Sequence, residues 1–241
     1  MQKLFPIIRY HFSFYYYFCS CIGFREMIKL IILDFDGTMA DTRGLIVRTM
    51  QKVIKELRLD SRTDEQCAAM IGLPLKQTFT TLIPMSEEQG KVCEQLYRKI
   101  FAASDPIKSV SLFPQVLETI AALHEKGITL TIASSRGHES LDAYVEEMHL
   151  SPYIHYVLGA EDVTHAKPQP DAVLKTIHDL VFSAEETLVV GDMTYDILMG
   201  QRAGALTCGV TYGNGTRKEL LTCHPDHLID QFETLLTICS S

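Results

Sequence analysis

The run Ile28-Lys29-Leu30-Ile31-Ile32-Leu33, followed by Asp34-Phe35-Asp36-Gly37-Thr38, constrains the fold more than any other part of the chain. Such an apolar run, rich in isoleucine and leucine and cut off by glycine, reads as a strand buried on both faces. If the extended geometry persists through Phe35, Asp34 and Asp36 project to the same side. Two adjacent anions repel, so the arrangement calls for a hard divalent cation or a shared proton. Gly37 lets the backbone turn sharply or approach a ligand closely. Taken alone, the segment also reads as a strand ending in an Asp-rich turn. The rest of the chain decides between the two.

At 241 residues the chain has room for one large α/β domain, or for a core domain carrying an insertion. Its formal charge of −8 argues against general nucleic-acid binding, which needs a basic footprint. An anionic substrate must then be attracted locally, by a metal or a few cationic groups. The seven cysteines are scattered, with no C-x-x-C spacing, which favours reduced thiols in a cytoplasm over disulfides or a zinc site. Residues 1–26 are crowded with aromatics and precede a second methionine, Met27. They read as an extension upstream of a start at Met27, with a signal, an anchor or a docked helix as alternatives. Polar interruptions argue against a bilayer span, so no membrane partner is expected.

From 42 to 105 the pattern is helical throughout. Leu45, Ile46, Met50, Val53, Ile54 and Leu57 mark a first amphipathic helix. Thr63 with Asp64–Gln66 starts a second, which Gly72 stops, and Pro74 to Leu82 reads as a third. Ser86-Glu87-Glu88-Gln89 opens a fourth. An all-helical block directly after a strand tipped with carboxylates reads as an inserted cap that can act as a lid. The core is then 27–41 with 106–241. In that second part helices alternate with strands at 128–133, near 156–158, at 187–190 and at 205–210. This rhythm predicts a doubly wound, mostly parallel sheet with helices on both faces. Ligands bind at the carboxyl ends of such strands, where Asp34, Ser134 and Asp192 all fall. Asp196 follows four residues later, at a helix start, where it also suits an N-cap. Carboxylates gathered without His or Cys point to Mg²⁺ rather than zinc.

Asp34-Phe35-Asp36-Gly37-Thr38, Ser134 after an apolar strand, Lys167-Pro168 with Pro170, and Gly191-Asp192 with Asp196 occur in an order that resembles the haloacid dehalogenase-like hydrolases. The resemblance covers the chain from about Met27 onward and implies a Rossmann-like core and an aspartate-nucleophile phosphatase. It implies Asp34 as nucleophile and Asp36 as acid/base, with Mg²⁺ held by Asp34, the Asp36 carbonyl, Asp192 and, through water, Asp196. Ser134 and Lys167 would hold the phosphoryl group, helped by backbone near Gly37, Thr38 and Ser135. Asp36 sets the chain apart from dehalogenases and phosphonatases, and Ile46 stands where hexose-phosphate mutases carry a cap histidine. Ile71-Gly72-Leu73-Pro74 and Val210-Thr211-Tyr212-Gly213 look most like phosphoglycolate phosphatases and their pyrophosphatase relatives. Met39 and Gln115 depart from the commoner Leu and Gly of that branch.

The expected substrate is therefore a small phosphorylated metabolite, phosphoglycolate-like, with pyrophosphate or a sugar or nucleotide phosphate as the alternative. A non-catalytic phosphoryl-responsive protein is the alternative of another class, against which Asp36 argues. Arg43, Lys76 and Arg136 are the candidates for substrate selection. His165 reads as an exposed loop residue and Tyr195 as packing.

Overall fold

In the computed structural model, which describes residues 28–240, the apolar run forms β1 (Leu30–Leu33), buried along its whole length. The expected extension, 1–26, lies outside the described residues. Five more strands join β1: β2 (Thr129–Ala133), β3 (Ile154–Leu158), β4 (Thr187–Gly191), β5 (Leu206–Val210) and β6 (His227–Ile229). They form one sheet of order β3-β2-β1-β4-β5-β6 with every pair parallel. The chain winds outward from β1 to one side, then returns to build the other. Strand order thus reverses between β1 and β4, the switch point at which doubly wound sheets open a crevice.

Four helices lie between β1 and β2: α1 (Arg43–Glu56), α2 (Asp64–Ala68), α3 (Leu75–Leu82) and α4 (Glu87–Ala102). The starts of α2 and α4 follow from the sequence. Thr63 and Gln66, and likewise Ser86 and Gln89, exchange hydrogen bonds between side chain and backbone, closing a capping box at each helix. The block buries a cluster of its own, with Met50 and Val53 of α1, Phe79 of α3, and Tyr97 and Phe101 of α4. Two adjacent lengths of backbone tie it to the sheet. The Phe113 N–H donates to the Met39 carbonyl, and the Asp41 N–H to that of Ser111, each at 2.9 Å.

Helices α5 (Val116–Glu125) and α6 (His138–Glu147) cover one face of the sheet, and α7 (Asp171–Leu180) and α8 (Thr194–Ala203) the other. Alternation along β1 serves both faces: Ile31 and Leu33 pack with Ile120 and Tyr144, while Leu30 and Ile32 pack with Val173 and Met199. Gln115 precedes α5 at φ 63°, a left-handed conformation that explains the commoner glycine there. The short α9 (Arg217–Thr222), β6 and α10 (Leu235–Ile238) complete the fold. Cys67, Cys93, Cys208, Cys223 and Cys239 are free thiols. No helix among the described residues is long and apolar enough to cross a membrane.

Candidate active site

Strand register assembles the site. Leu33 lies beside Ile132 of β2 and Val190 of β4, so β1, β2 and β4 end almost level. Asp34, Ser134 and Asp192 therefore emerge together at the switch point, with the Asp34 N–H still bonded to the Val190 carbonyl at 2.9 Å. Helix α8 begins two residues earlier than the sequence suggested. Asp196 consequently sits inside its first turn rather than at the N-cap, and its Oδ2 accepts the Met193 N–H at 3.1 Å.

Asp34, Asp192 and Asp196 are buried, and a carboxylate oxygen from each lies within 4.8 Å of the other two. Lys167 reaches them from the loop before α7. Its Nζ donates to Asp34 Oδ1 at 2.5 Å and to Asp196 Oδ1 at 2.7 Å. One ammonium among three carboxylates leaves two negative charges uncompensated. Burial outweighs the opposing Lys167 charge and, with the Asp196 and Asp192 charges adding to it, holds the Asp34 carboxyl well above the usual range. Burial and Asp196 push Asp192 up to about 7. Burial disfavours the Lys167 charge, but Asp196 and Asp34 outweigh it and keep the ammonium protonated. An all-oxygen set with a deficit of two positive charges fits a hard divalent cation.

Two glycines permit this convergence. Gly37 has φ 95°, and a Cβ there would lie 2.2 Å from Asp192 Oδ2; one at Gly213 would lie 2.4 Å from both the Asp192 side chain and the Gly37 carbonyl. Asn214, which no sequence motif singles out, grips Asp192 Oδ2 with its backbone N–H at 2.6 Å and its Nδ2 at 3.0 Å. Nδ2 also faces the Asp36 carbonyl at 3.4 Å, and Oδ1 is buried without a partner. The available signal was its place between Gly213 and Gly215, just beyond β5.

The Asp36 carboxylate turns away from the cluster to Arg136. Arg136 Nε donates to Oδ2 at 3.1 Å and Nη2 to Oδ1 at 2.5 Å, a two-pronged pairing. Phe101, Tyr144 and Phe35 surround the guanidinium at 5.2, 5.0 and 6.0 Å from their centroids. Burial works against its charge, yet Asp36 more than compensates and holds it protonated.

The other candidate residues have these partners. The Gly37 N–H donates to the Ala40 carbonyl at 2.9 Å within the turn, and the Thr38 hydroxyl donates to Asp192 Oδ1 at 3.3 Å, at the acid cluster. The Ser135 hydroxyl donates to the Gly72 carbonyl at 2.6 Å, linking the sheet to the helical block. Arg43 lies outside the cavity lining, and its charge acts on Glu65. Lys76 does line the cavity but pairs with Glu87. Arg136 lines it with its charge committed to Asp36. His165 is exposed and bonded to Asp171, and Tyr195 packs near Gly72.

A cavity of about 520 Å³ opens between the sheet ends and the helical block, with Asp34, Asp36, Ser134 and Arg136 in its lining. Residues 31–210 match the sequence model described as haloacid dehalogenase-like hydrolase. The pyrophosphatase PpaX of Anoxybacillus flavithermus is 32% identical over 211 residues, covering 88% of this chain and 96% of that protein. A phosphoglycolate phosphatase of Vibrio parahaemolyticus is 28% identical over 222 residues, covering 89% and 97%. Among solved structures, a haloacid dehalogenase-like protein of Bacteroides fragilis superposes with a TM-score of 0.81 at 29% identity, covering 86% of this chain and 99% of its own. With the family's motifs gathered at one sheet edge and its sequence model spanning most of the chain, the protein belongs to the haloacid dehalogenase-like hydrolases and is an enzyme.

Proposed function

We propose that the chain is a Mg²⁺-dependent phosphatase that hydrolyses a small phosphorylated metabolite through an aspartyl-phosphate on Asp34. The observation that carries this reading is the meeting of Asp34, Asp192 and Asp196 with Lys167 at the end of β1. Asp34, the Asp36 carbonyl and Asp192 would hold Mg²⁺, with Asp196 acting through water. When bound, the ion withdraws charge from the phosphoryl oxygens and fixes their alignment.

The Asp34 carboxylate attacks phosphorus, the bond to the leaving oxygen breaks, and Asp36 gives that oxygen a proton. Water then attacks phosphorus and passes a proton to Asp36, while the bond from phosphorus to Asp34 breaks and restores the carboxylate. For these transfers one Asp36 oxygen leaves its Arg136 donor to carry the proton, while the second hydrogen bond from Arg136 keeps the carboxyl oriented. Lys167, Ser134 and the Ser135 backbone N–H stabilise the charge that develops on the phosphoryl group. The helical block, 42–105, acts as a cap, and the Ser135–Gly72 hydrogen bond joins it to the core at the cavity. A cytoplasmic setting accords with the free thiols.

The names of the relatives supply two substrates to try first, pyrophosphate and phosphoglycolate. Turnover of p-nitrophenyl phosphate with Mg²⁺, abolished by Asp34→Asn, is the expected result. Full activity in that variant would remove Asp34 as nucleophile. A phospho-Asp34 that persists for minutes without phosphate release would instead favour a phosphoryl-responsive binding protein.

A further inference from the structure

The cavity above the acid cluster says more about the substrate than the cluster does. At about 520 Å³ it falls among clefts that enclose ligands of drug size, roughly 300–1,000 Å³. A two-carbon acid phosphate or pyrophosphate would fill only a small part of it. Its upper wall is largely apolar, with Ile46, Met50, Met70, Leu73, Tyr97 and Phe101 facing the space. Tyr97 and Phe101 stack with centroids 5.6 Å apart and ring planes at 17°. Flat rings beside flexible thioethers suit a flat apolar guest.

The charges point the same way. Among the described lining residues, each lysine and arginine already has a carboxylate partner: Lys76 has Glu87, Arg98 has Glu94 at 2.8 Å, and Arg136 has Asp36. The Lys76 and Arg98 pairs are partly open to solvent, whereas the Arg136 and Asp36 side chains are only 9% and 12% exposed. Glu139 adds a further negative charge to the lining. A second anionic group on the substrate would lose hydration against methionine and aromatic side chains and meet no cation without breaking an existing pair.

We propose that the enzyme's preferred substrates are phosphate monoesters whose leaving group is uncharged and carries a flat apolar body, seated between α1, α4 and the 70–75 segment. This inference rests on the phosphatase reading above and narrows it to one class of leaving group.

The test is a series of alkyl phosphates with leaving alcohols of similar acidity: ethyl, butyl and 2-phenylethyl phosphate. Phosphoglycolate and pyrophosphate complete the panel. All are assayed with the full chain and Mg²⁺ by phosphate release. The expected kcat/KM rises about fourfold per methylene buried, placing 2-phenylethyl phosphate at least about tenfold above ethyl phosphate and above both anionic substrates. Filling the cavity with Met70→Trp should lower the 2-phenylethyl to ethyl ratio about tenfold or more. Ala102→Phe, at an exposed lining position, offers the same ratio if Met70→Trp fails to fold. A panel led by phosphoglycolate or pyrophosphate, or a flat response to size, overturns the leaving-group assignment and leaves the phosphatase reading intact. No Mg²⁺-dependent turnover of any member by the folded chain overturns both.

Discussion

Lys167→Met replaces a buried ammonium by an apolar group of similar length and asks whether that cation balances the aspartates or merely fills space. The Nζ lies 2.5 Å from Asp34 and 2.7 Å from Asp196. At an effective dielectric of about 20, each contact is worth roughly 6 kcal/mol of gross attraction. Desolvation offsets much of that, and removing one member of a buried pair leaves a net loss of about 3–5 kcal/mol. For a chain of this size, such a loss lowers Tm by about 10 °C. The deficit should be largest near pH 8 in EDTA, where the carboxylates are most ionised, and smallest near pH 5, where the cluster can take up protons instead. Mg²⁺ should reverse more of the loss in the variant than it adds to wild type, because the site has become more negative. Activity should not return with stability: kcat should fall at least about 100-fold once the phosphoryl group loses this donor. Thermal melts with EDTA or Mg²⁺ at both pH values, read beside saturating kcat, make the test. A variant as stable as wild type at pH 8 in EDTA, or one that no longer responds to Mg²⁺, would refute the charge-balance reasoning.

In EDTA, stability should fall as pH rises from about 4 to about 7. Asp192, raised to about 7, keeps its proton in the folded state where an unfolded aspartate of pKa about 3.9 has lost it, an effect on the order of 4 kcal/mol. Urea midpoints should lose that slope in Asp192→Asn, and an unchanged slope would contradict the assignment. Arg136→Lys cannot make the two-pronged pairing, so kcat should drop about tenfold or more with KM within about twofold; a raised KM with intact kcat would make Arg136 a substrate-binding residue instead. Gln115→Gly relieves the left-handed position before α5 and should stabilise the protein by about 1 kcal/mol in urea melts; a loss of stability would show that the side chain contributes more than the backbone conformation costs.

The parts of the fold that could be read in advance are those governed by local periodicity. The Ile28–Leu33 run, the capping residues Thr63 and Ser86, and the spacing within α1 each carry their signal in a few residues. Parallel pairing then places the strand ends together, so Asp34, Ser134 and Asp192 were legible as neighbours once the βα rhythm was seen. Contacts across long separations were not legible. Asp36 and Arg136 lie 100 residues apart, and nothing local in Ser134-Ser135-Arg136-Gly137 says which carboxylate the guanidinium will reach. The hydrogen bond from the Gly37 amide to Ala40 is likewise fixed only by the way the turn closes. Asn214 went unmarked because its importance comes from the bend after β5 that carries it back over Asp192. Strand β6 and helices α9 and α10 are too short to impose a period.

Rapid acid quench of the enzyme turning over labelled phosphomonoester in Mg²⁺, followed by borohydride reduction and peptide mass spectrometry, tests the central claim most directly. The expected result is label on one peptide, lost on reduction as residue 34 is converted to homoserine, and absent without Mg²⁺ or in Asp34→Asn. Steady turnover with no phosphoenzyme at any quench time, or label on a residue other than Asp34, would contradict the account.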